Sequence, residues 1–331
     1  MSQSLLSIVD NFSGKKIMVI GDMIADVYLE GTISRISREA PVLVLEYASE
    51  TVVPGGAANV IYNTATLGGS VYGVGVVGQD NSGAEILRLL QAKAVNIEGV
   101  YRDQTRATIT KTRVLAGGLA TVRQHVVRID KETKQPLTEL AEAELLARIV
   151  RFLPQMDAVV LDDYGSNSIT SQIRTTTISL CRTHQIPCIV DSRYNILAYQ
   201  GVNLVKQNEA ELATAVGYPL ENETLLIRAG QELLRRLEAD TVLITRGPDG
   251  IALFEKQGGY HQIPVTNASE VYDVSGAGDT VVATMMLALA AGASTIDAAQ
   301  LANLAAGVVV RKMGTATVTA EELKRAIGAA E

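Results

Sequence analysis

The segment whose residues best suit chemistry is Asp273-Val-Ser-Gly-Ala-Gly-Asp-Thr280, and an apolar, small-residue run over 281–292 follows it. Glycine permits close approach and unusual backbone angles, so the amides of residues 276–278 can turn toward one point. At the positive end of a following helix, these amides would bind a phosphate or a developing oxyanion. Asp279 would lie beside that anion, where its carboxylate suits a general base for a hydroxyl nucleophile. A Gly-rich turn with Asp279 as the helix cap explains the same segment without chemistry.

Composition and charge narrow the class of protein. The 331 residues are 47% hydrophobic and 20% charged, with 28 glycines and no tryptophan, which indicates a close-packed α/β protein. A net charge of −7 argues against non-specific nucleic-acid binding. Residues 1–10 lack the features of a signal peptide, and no apolar run reaches the ~20 residues that a membrane crossing needs. Cys181 and Cys188 offer no zinc spacing, so we expect reduced thiols in a cytoplasmic protein.

The elements that must position the 273–280 segment alternate between strands and helices. Short apolar runs predict buried strands at 17–20, 158–161, 188–190, 204–205 and 241–244. Helical segments lie between most of them, and this βα rhythm predicts a mostly parallel sheet with helices on both faces. Acidic and amide side chains follow several of these strands. Because open α/β sheets bind ligands at the carboxyl ends of their strands, we expect the cleft there.

Two regions interrupt this rhythm. Residues 27–53 and 105–130 alternate apolar and polar side chains, and the second region predicts a hairpin around Gly117-Gly118. We expect both regions to form one small β-sheet, a lid, within a single domain that covers residues 1–331. The exposed face of this small sheet must be covered by either the active site or a second subunit. We expect a homodimer in which the two lid sheets cover one another. Basic side chains cluster on it and either face solvent or meet a phosphate: Arg35, Arg38, Lys111, Arg113, Arg123 and Arg128.

Several common kinds of site are excluded. Residues 73–78 match the Gly-x-Gly-x-x-Gly dinucleotide fingerprint, but the glycines lie inside an apolar run and not in the turn after it. The chain has no P-loop motif, and its three histidines stand in no metal-ligand or triad spacing. What remains is an anion site, a base, polar strand ends and basic groups. That combination suits phosphoryl transfer to a sugar hydroxyl.

Two signatures make the chain resemble the PfkB (ribokinase-like) family of carbohydrate kinases. Pro54-Gly-Gly-Ala-Ala-Asn59 is similar to the N-terminal Gly-Gly signature of that family, and residues 273–280 are similar to its C-terminal signature. Within the family, the chain most resembles the heptose 7-phosphate kinases. The segments that carry this likeness are 34–42, 54–59, 108–115, 270–280, 305–310 and 312–315.

The resemblance implies a ribokinase-like fold and an ATP- and Mg²⁺-dependent kinase for a sugar phosphate, with the anomeric hydroxyl of a heptose 7-phosphate as acceptor. It implies Asp279 as catalytic base, with Gly276, Ala277 and Gly278 as the anion hole. The nucleotide side would consist of Asn208, Glu211, Thr245 and Gly247, with Glu211 also at the metal. The sugar side would consist of Asp26, Arg38, Gly55, Gly56, Asn59, Lys111 and Asp191.

Two segments depart from the heptose kinase pattern. Where those kinases usually have Ser-Asp-Tyr-Ala-Lys-Gly, residues 162–167 read Asp-Asp-Tyr-Gly-Ser-Asn, so Ser166 replaces a lysine. Where they usually have Asp-Pro-Lys-Gly, residues 191–194 read Asp-Ser-Arg-Tyr, and Arg193 keeps the charge but not the geometry of a lysine. Two alternatives stay open: a kinase for another sugar or a nucleoside, and a non-catalytic sugar- or nucleotide-binding protein.

Overall fold

The computed structural model describes residues 2–117, 124–133, 135–265 and 271–329. Its strands are β1 (Lys16–Gly21), β2 (Met23–Ile36), β3 (Leu43–Gly56), β4 (Ser70–Gly78), β5 (Asn96–Asp103), β6 (Ile109–Gly117), β7 (Gln124–Lys131), β8 (Ala158–Asp163), β9 (Cys188–Ser192), β10 (Leu204–Asn208), β11 (Thr241–Thr245), β12 (Ile251–Glu255) and β13 (Tyr260–Ile263). Its α-helices are α1 (Ser2–Asp10), α2 (Ala57–Thr66), α3 (Asn81–Ala92), α4 (Glu139–Phe152), α5 (Ser171–His184), α6 (Glu209–Val216), α7 (Glu223–Leu237), α8 (Ala277–Ala290), α9 (Thr295–Val309) and α10 (Ala320–Ala329).

A nine-stranded sheet with the order β13-β12-β11-β10-β9-β8-β1-β4-β5 forms the centre of the fold. The strands from β11 to β5 are parallel to their neighbours, whereas β12 and β13 pair antiparallel at one edge. One face is covered by a core that includes residues of α2, α8 and α9, and the other by a core that includes residues of α4, α5 and α7. The predicted mostly parallel sheet with helices on both faces is therefore confirmed. None of the described helices is long and apolar enough to span a bilayer.

Three neighbouring strands end with polar side chains on the face that α8 covers. Asp162 of β8 is the register partner of Asp191 of β9, which is the partner of Lys206 of β10. The residues two positions earlier in each strand lie in the core under α8: Val160, Ile189 and Leu204. Because strand side chains alternate between the two faces, Asp162, Asp191 and Lys206 form one row beneath the start of α8.

The predicted small lid sheet is present, with the order β3-β2-β6-β7. β2 pairs antiparallel with β3 and parallel with β6, and β6 pairs antiparallel with β7 as the predicted hairpin requires. β2 begins at Met23, earlier than predicted, because its first five residues are buried and lack the alternation that marks the outer part. Gly118 and Arg123 lie outside the described residues. The assignment of residues 1–331 to one domain stays a prediction.

The Gly-Gly signature lies where the last lid strand residues of β3 lead directly into α2. β3 continues through Gly55 to Gly56, and α2 starts at the next residue. Gly56 has φ 54°, and a Cβ there would lie 2.7 Å from the carbonyl oxygen of Asp22. A residue with a side chain would therefore be strained and would clash with backbone. The glycines of the rejected dinucleotide fingerprint all lie within β4, so they do not form the turn that a dinucleotide needs.

Candidate active site

The predicted base, Asp279, lies buried in the first turn of α8 with both of its carboxylate oxygens engaged. The side-chain amide of Asn59 donates to Oδ2 at 2.6 Å, and the hydroxyl of Tyr164 donates to Oδ1 at 3.1 Å. Asn59 comes from the first turn of α2, and Tyr164 from the loop after β8. Three separate parts of the chain thus converge on one carboxylate, and they hold its plane in a fixed orientation.

The surroundings of Asp279 tune its proton affinity. Burial raises the pKa of this carboxyl to about 6, although the hydrogen bond from Asn59 and the positive charge of Lys206 act in the opposite direction. The negative charge of Asp191 raises the pKa further, and the Tyr164 hydrogen bond lowers it. A carboxylate with a pKa just below neutrality is ionised at physiological pH and yet basic enough to accept a proton from a polarised hydroxyl.

The turn before α8 leaves room for this arrangement because it contains glycine. Gly276 has φ 77°, and a Cβ there would lie 2.7 Å from the Asn59 amide nitrogen that holds Asp279. One of the three predicted anion-hole amides is already used within the turn, since Ala277 N donates to the carbonyl of Val274 at 3.2 Å. The helix start still presents the amides of Gly278 and Asp279, because the first N–H groups of a helix have no intrahelical partner.

Lys206 places a positive charge beside this helix start, and the sequence analysis did not single it out. Its ammonium lies 2.6 Å from Asp191 Oδ2, with side-chain exposures of 7% for Lys206 and 11% for Asp191. A Cβ on Gly278 would lie only 2.8 Å from Lys206 Nζ, so glycine makes space for the ammonium under the turn. Burial lowers the pKa of Lys206, but the charges of Asp191, Glu211 and Asp279 and the hydrogen bond to Asp191 together outweigh burial, and the net pKa is raised. The lysine therefore stays protonated.

Asp162 completes the row beneath α8. Both of its side-chain oxygens are buried and have no hydrogen-bond partner among the described residues. Burial raises the pKa of this carboxyl well above its ordinary value, and the charges of Asp279 and Asp191 raise it further. Burial and the neighbouring negative charges thus favour the protonated form of Asp162.

The predicted nucleotide-side residues lie at the ends of two neighbouring strands. Asn208 of β10 and Thr245 of β11 are register partners, and Gly247 follows Thr245 by two residues. Asn208 and Glu211 form a capping box at the start of α6: Glu211 N donates to Asn208 Oδ1 at 2.9 Å, and Asn208 N donates to Glu211 Oε2 at 2.8 Å. The pair therefore has a structural role of its own. Burial raises the pKa of Glu211, and the Asp191 charge adds to that effect.

The acidic residues can be tested for their fit to Mg²⁺. Among the residues that the structure describes, no group of three or more ligating side chains could by itself hold a metal ion. Mg²⁺ characteristically takes one or two carboxylates and completes its shell with water and substrate phosphates. A single carboxylate such as Glu211 at the cleft fits that pattern of binding.

The predicted sugar-side residues lie where the lid meets the large sheet. Asp26 Oδ1 accepts a hydrogen bond from Arg113 at 2.6 Å, and a Cβ on Gly55 would lie 2.8 Å from its Oδ2. Lys111, the register partner of Asp26 on β6, places its ammonium 5.1 Å from the ring centroid of Tyr164. Gly56, Asn59 and Asp191 lie as described above.

Arg38 is the exception among the predicted site residues. It is exposed in the bend that follows β2, and no hydrogen bond or ion pair joins it to another predicted site residue within the described part of the chain. Arg113, which lies on the same small sheet, is instead paired with Asp26. Of the two basic residues predicted to bind the substrate, Lys111 lies next to the loop that carries Tyr164, whereas Arg38 lies in the exposed bend after β2.

The fold and this site define a class of protein: an α/β enzyme with a buried base at a helix start. The model of the pfkB family of carbohydrate kinases matches residues 14–322 of the sequence. The chain therefore belongs to the pfkB family of carbohydrate kinases, and it is a phosphotransferase that acts on a sugar hydroxyl.

Relatives with known names agree with this assignment. The chain is 42% identical over 322 residues to the bifunctional protein HldE of Desulfatibacillum aliphaticivorans. The aligned region covers 96% of this chain and 64% of that protein. It is 39% identical to the HldE protein of Geobacter metallireducens, over 94% of this chain and 62% of the relative. The chain thus spans less than two thirds of the length of these relatives.

Solved structures support the fold. Escherichia coli phosphofructokinase-2, in complex with substrates and products, superposes with a TM-score of 0.77 at 21% identity, over 95% of this chain and 99% of that one. Arabidopsis thaliana ribokinase, complexed with ribose and ATP, superposes with a TM-score of 0.74 at 20% identity and the same coverage. At these identities the likeness establishes the ribokinase-like fold and leaves the substrate open.

Proposed function

We propose that this chain transfers the γ-phosphoryl group of ATP to a hydroxyl of a sugar phosphate, with the anomeric hydroxyl of a heptose 7-phosphate as the first candidate. The observation that carries the proposal is the Asp279 carboxylate at the start of α8, with the Lys206 ammonium beneath the same turn. A base and a fixed positive charge at one helix start are what a hydroxyl nucleophile and a transferring phosphoryl group need.

In this proposal Asp279 accepts the proton of the acceptor hydroxyl as the oxygen attacks. Lys206 and the amides of the first turn of α8 face the negative charge that spreads over the transferring oxygens. ATP with Mg²⁺ supplies the phosphoryl group, and Glu211 with Asn208 is the pair proposed to hold the metal and the nucleotide phosphates. Thr245 and Gly247 would border the nucleotide, because they lie beside Asn208 at the strand ends.

The heptose assignment is the finer part of the proposal. It is supported by the segments that resemble heptose 7-phosphate kinases and by the HldE relatives at 36–42% identity. We propose that Asp26, Gly55, Gly56, Asn59 and Asp191 border the sugar and that Lys111 meets the phosphate of the substrate. A direct test measures ADP release with Mg-ATP across C5 to C7 sugars, both free and phosphorylated at the terminal carbon. Turnover confined to a heptose 7-phosphate would support the assignment, and preference for a different sugar would refute it.

A kinase for an unphosphorylated sugar or a nucleoside is a second candidate. The observation in its favour is that Arg113 is already paired with Asp26 and Arg38 is exposed, which leaves few lid cations for a substrate phosphate. Lys111→Met separates the two candidates. With a sugar-phosphate substrate its KM should rise at least ~10-fold, since a charge-assisted contact is lost. With an unphosphorylated substrate, KM should change little. Lys256→Met, at an exposed lysine just after β12, is the matched control.

The sequence alone also left open a non-catalytic sugar- or nucleotide-binding protein, but membership of the pfkB family makes the chain a phosphotransferase. Asp279 and the glycine turn favour an enzyme, because a protein that only binds would not need a base. ATP-dependent turnover of an acceptor measures the enzymatic activity directly. We also propose a cytoplasmic location, which rests on the need for ATP and on two buried cysteines that are free thiols in the structure.

We further propose that the protein forms a homodimer through its lid. Large apolar side chains are exposed on the lid sheet: Ile33, Ile36, Leu43, Tyr47, Val126, Val127 and Ile129. Every residue of β7 is exposed, so a second copy of the same surface would bury a self-complementary apolar patch. Sedimentation at micromolar concentration should give the mass of two chains. A single-chain mass would contradict the proposal.

A further inference from the structure

A buried carboxylate, Asp22, anchors the loop between β8 and α5. Asp22 is fully buried, and its oxygens accept the backbone N–H groups of Tyr164 at 2.8 Å, Ser166 at 3.1 Å and Ser168 at 3.3 Å. Three hydrogen bonds to one carboxylate fix the path of the loop backbone. The side chain of Tyr164 therefore leaves the loop from a defined position.

That side chain makes two contacts that lead in different directions. Its hydroxyl donates to Asp279 Oδ1 at 3.1 Å, and its ring carries the Lys111 ammonium at 5.1 Å from the centroid. The negative charge of Asp279 raises the pKa of Tyr164 well above its ordinary value, and burial adds to this effect. The hydroxyl consequently stays protonated at neutral pH and can donate to the carboxylate of Asp279.

We propose that Tyr164 is a positioning residue of the phosphoryl transfer, whose hydroxyl aims the Asp279 base and whose ring supports the lid cation Lys111. This inference rests on the proposed function, and it adds a residue that neither the Gly-Gly signature nor the Asp273–Thr280 segment contains. Asn59 alone holds only Oδ2 of the base. With Oδ1 also held, the carboxylate cannot rotate about its terminal bond, so one defined lone pair faces the acceptor hydroxyl.

The same side chain also connects the substrate-binding lid to the catalytic base. Lys111 lies on β6 of the small sheet, and Asp279 lies on α8 over the large one. The side chain of Tyr164 contacts both of these residues. A movement of Lys111 toward a bound anion would therefore change the contact between its ammonium and the Tyr164 ring. The lid cation and the base are thereby set relative to each other by one aromatic residue.

Tyr164→Phe tests the role of the hydroxyl, because it keeps the ring and the Lys111 contact. We expect kcat to fall ~10-fold with the KM of the sugar changed less than ~3-fold. We also expect the acid limb of the kcat/KM profile to move to higher pH, because a hydrogen bond that favours the ionised carboxylate is lost. The charged and titratable groups that face Asp279 from the strands below, namely Lys206, Asp191 and Asp162, remain in place. A shift is therefore attributable to the hydroxyl.

Tyr199→Phe is the matched control. The Tyr199 hydroxyl also donates to a buried carboxylate, Asp163 Oδ2 at 2.7 Å, but Asp163 lies on the opposite face of β8 from the Asp162 row. This variant should lose stability and leave the acid limb unmoved. The inference is overturned if Tyr164→Phe leaves kcat and the acid limb unchanged, or if Tyr199→Phe moves the limb equally.

A measurement without substrate separates this inference from the proposed function. The ¹³C resonance of the Asp279 carboxyl, assigned by its absence in Asp279→Asn, gives its pKa in wild type and in Tyr164→Phe. A higher pKa in Tyr164→Phe supports the positioning role even if no tested sugar is phosphorylated. An unchanged pKa refutes that role even if the kinase activity is established.

Discussion

The buried pair of Lys206 and Asp191 gives a prediction in which stability and catalysis can be separated. Lys206→Met removes the ammonium 2.6 Å from Asp191 and keeps the length of the side chain. The side chains of Lys206 and Asp191 are only 7% and 11% exposed, so bulk water cannot replace the missing ammonium. The substitution therefore leaves the buried carboxylate of Asp191 unpaired. Breaking such a pair costs about 3–5 kcal/mol in the free energy of unfolding.

Asp191→Asn should cost less than Lys206→Met. The lysine keeps some support, because the charges of Glu211 and Asp279 also favour its protonated form. The double variant Lys206→Met/Asp191→Asn leaves no unpaired charge in the pair, and it should recover most of the stability that Lys206→Met loses. Turnover should not recover. Loss of one preorganised charge at a transferring phosphoryl group costs about 10²–10³ in kcat.

The assays are urea unfolding of all three variants and ADP release at saturating substrate. Lys312→Met is the matched control: its ion pair with Glu322 spans 2.8 Å at 33% and 28% exposure, and loss of such a partly exposed pair costs about 1 kcal/mol or less. The reasoning is refuted if Lys206→Met is no less stable than this control. It is also refuted if the double variant regains turnover, since Lys206 would then act only by balancing Asp191.

Two further predictions concern the base and its turn. Because the pKa of Asp279 is raised to about 6, kcat/KM should fall as the pH drops below about 6. Stability should show the opposite trend. A carboxyl whose pKa is higher in the folded state than in the unfolded state stabilises the fold at low pH, and this contribution declines as the pH rises from about 4 to about 6. A profile that is flat down to pH 5 would count against Asp279 as the base. Gly276→Ala places a Cβ 2.7 Å from the Asn59 amide at φ 77°, so both stability (by about 1–2 kcal/mol) and kcat should fall. Gly258→Ala, at φ 97° with open space around it, should show the strain without the loss of kcat.

The sequence predicts the fold well because local patterns determine it. Apolar runs and their βα rhythm predict the parallel sheet, and alternation at residues 105–130 predicts the lid hairpin. Tertiary contacts explain what the sequence analysis missed. Lys206 continues the apolar run of β10, and its role depends on Asp191 in the neighbouring strand and on the glycine turn above it. Tyr164 lies in an irregular loop, and contacts with residues distant in sequence, Asp22 and Asp279, determine its direction.

Local geometry also explains where the expected site differs from the structure. Three consecutive residues, 276–278, suggest three free amides, but closure of the turn uses that of Ala277 on Val274. Arg38 is close in sequence to other lid residues, yet the long β2–β3 hairpin carries it to an exposed bend. In both cases residue type alone is compatible with anion binding, and the path of the backbone decides the outcome.

The most direct test of the central claim is the turnover of Asp279→Asn with Mg-ATP and the best acceptor from the sugar panel. Asparagine keeps the size of the side chain and removes its ability to accept a proton, so binding of nucleotide and sugar should persist while kcat falls by about 10²–10⁴-fold. Near-normal turnover with intact binding would contradict the account, because proton removal would then depend on another group.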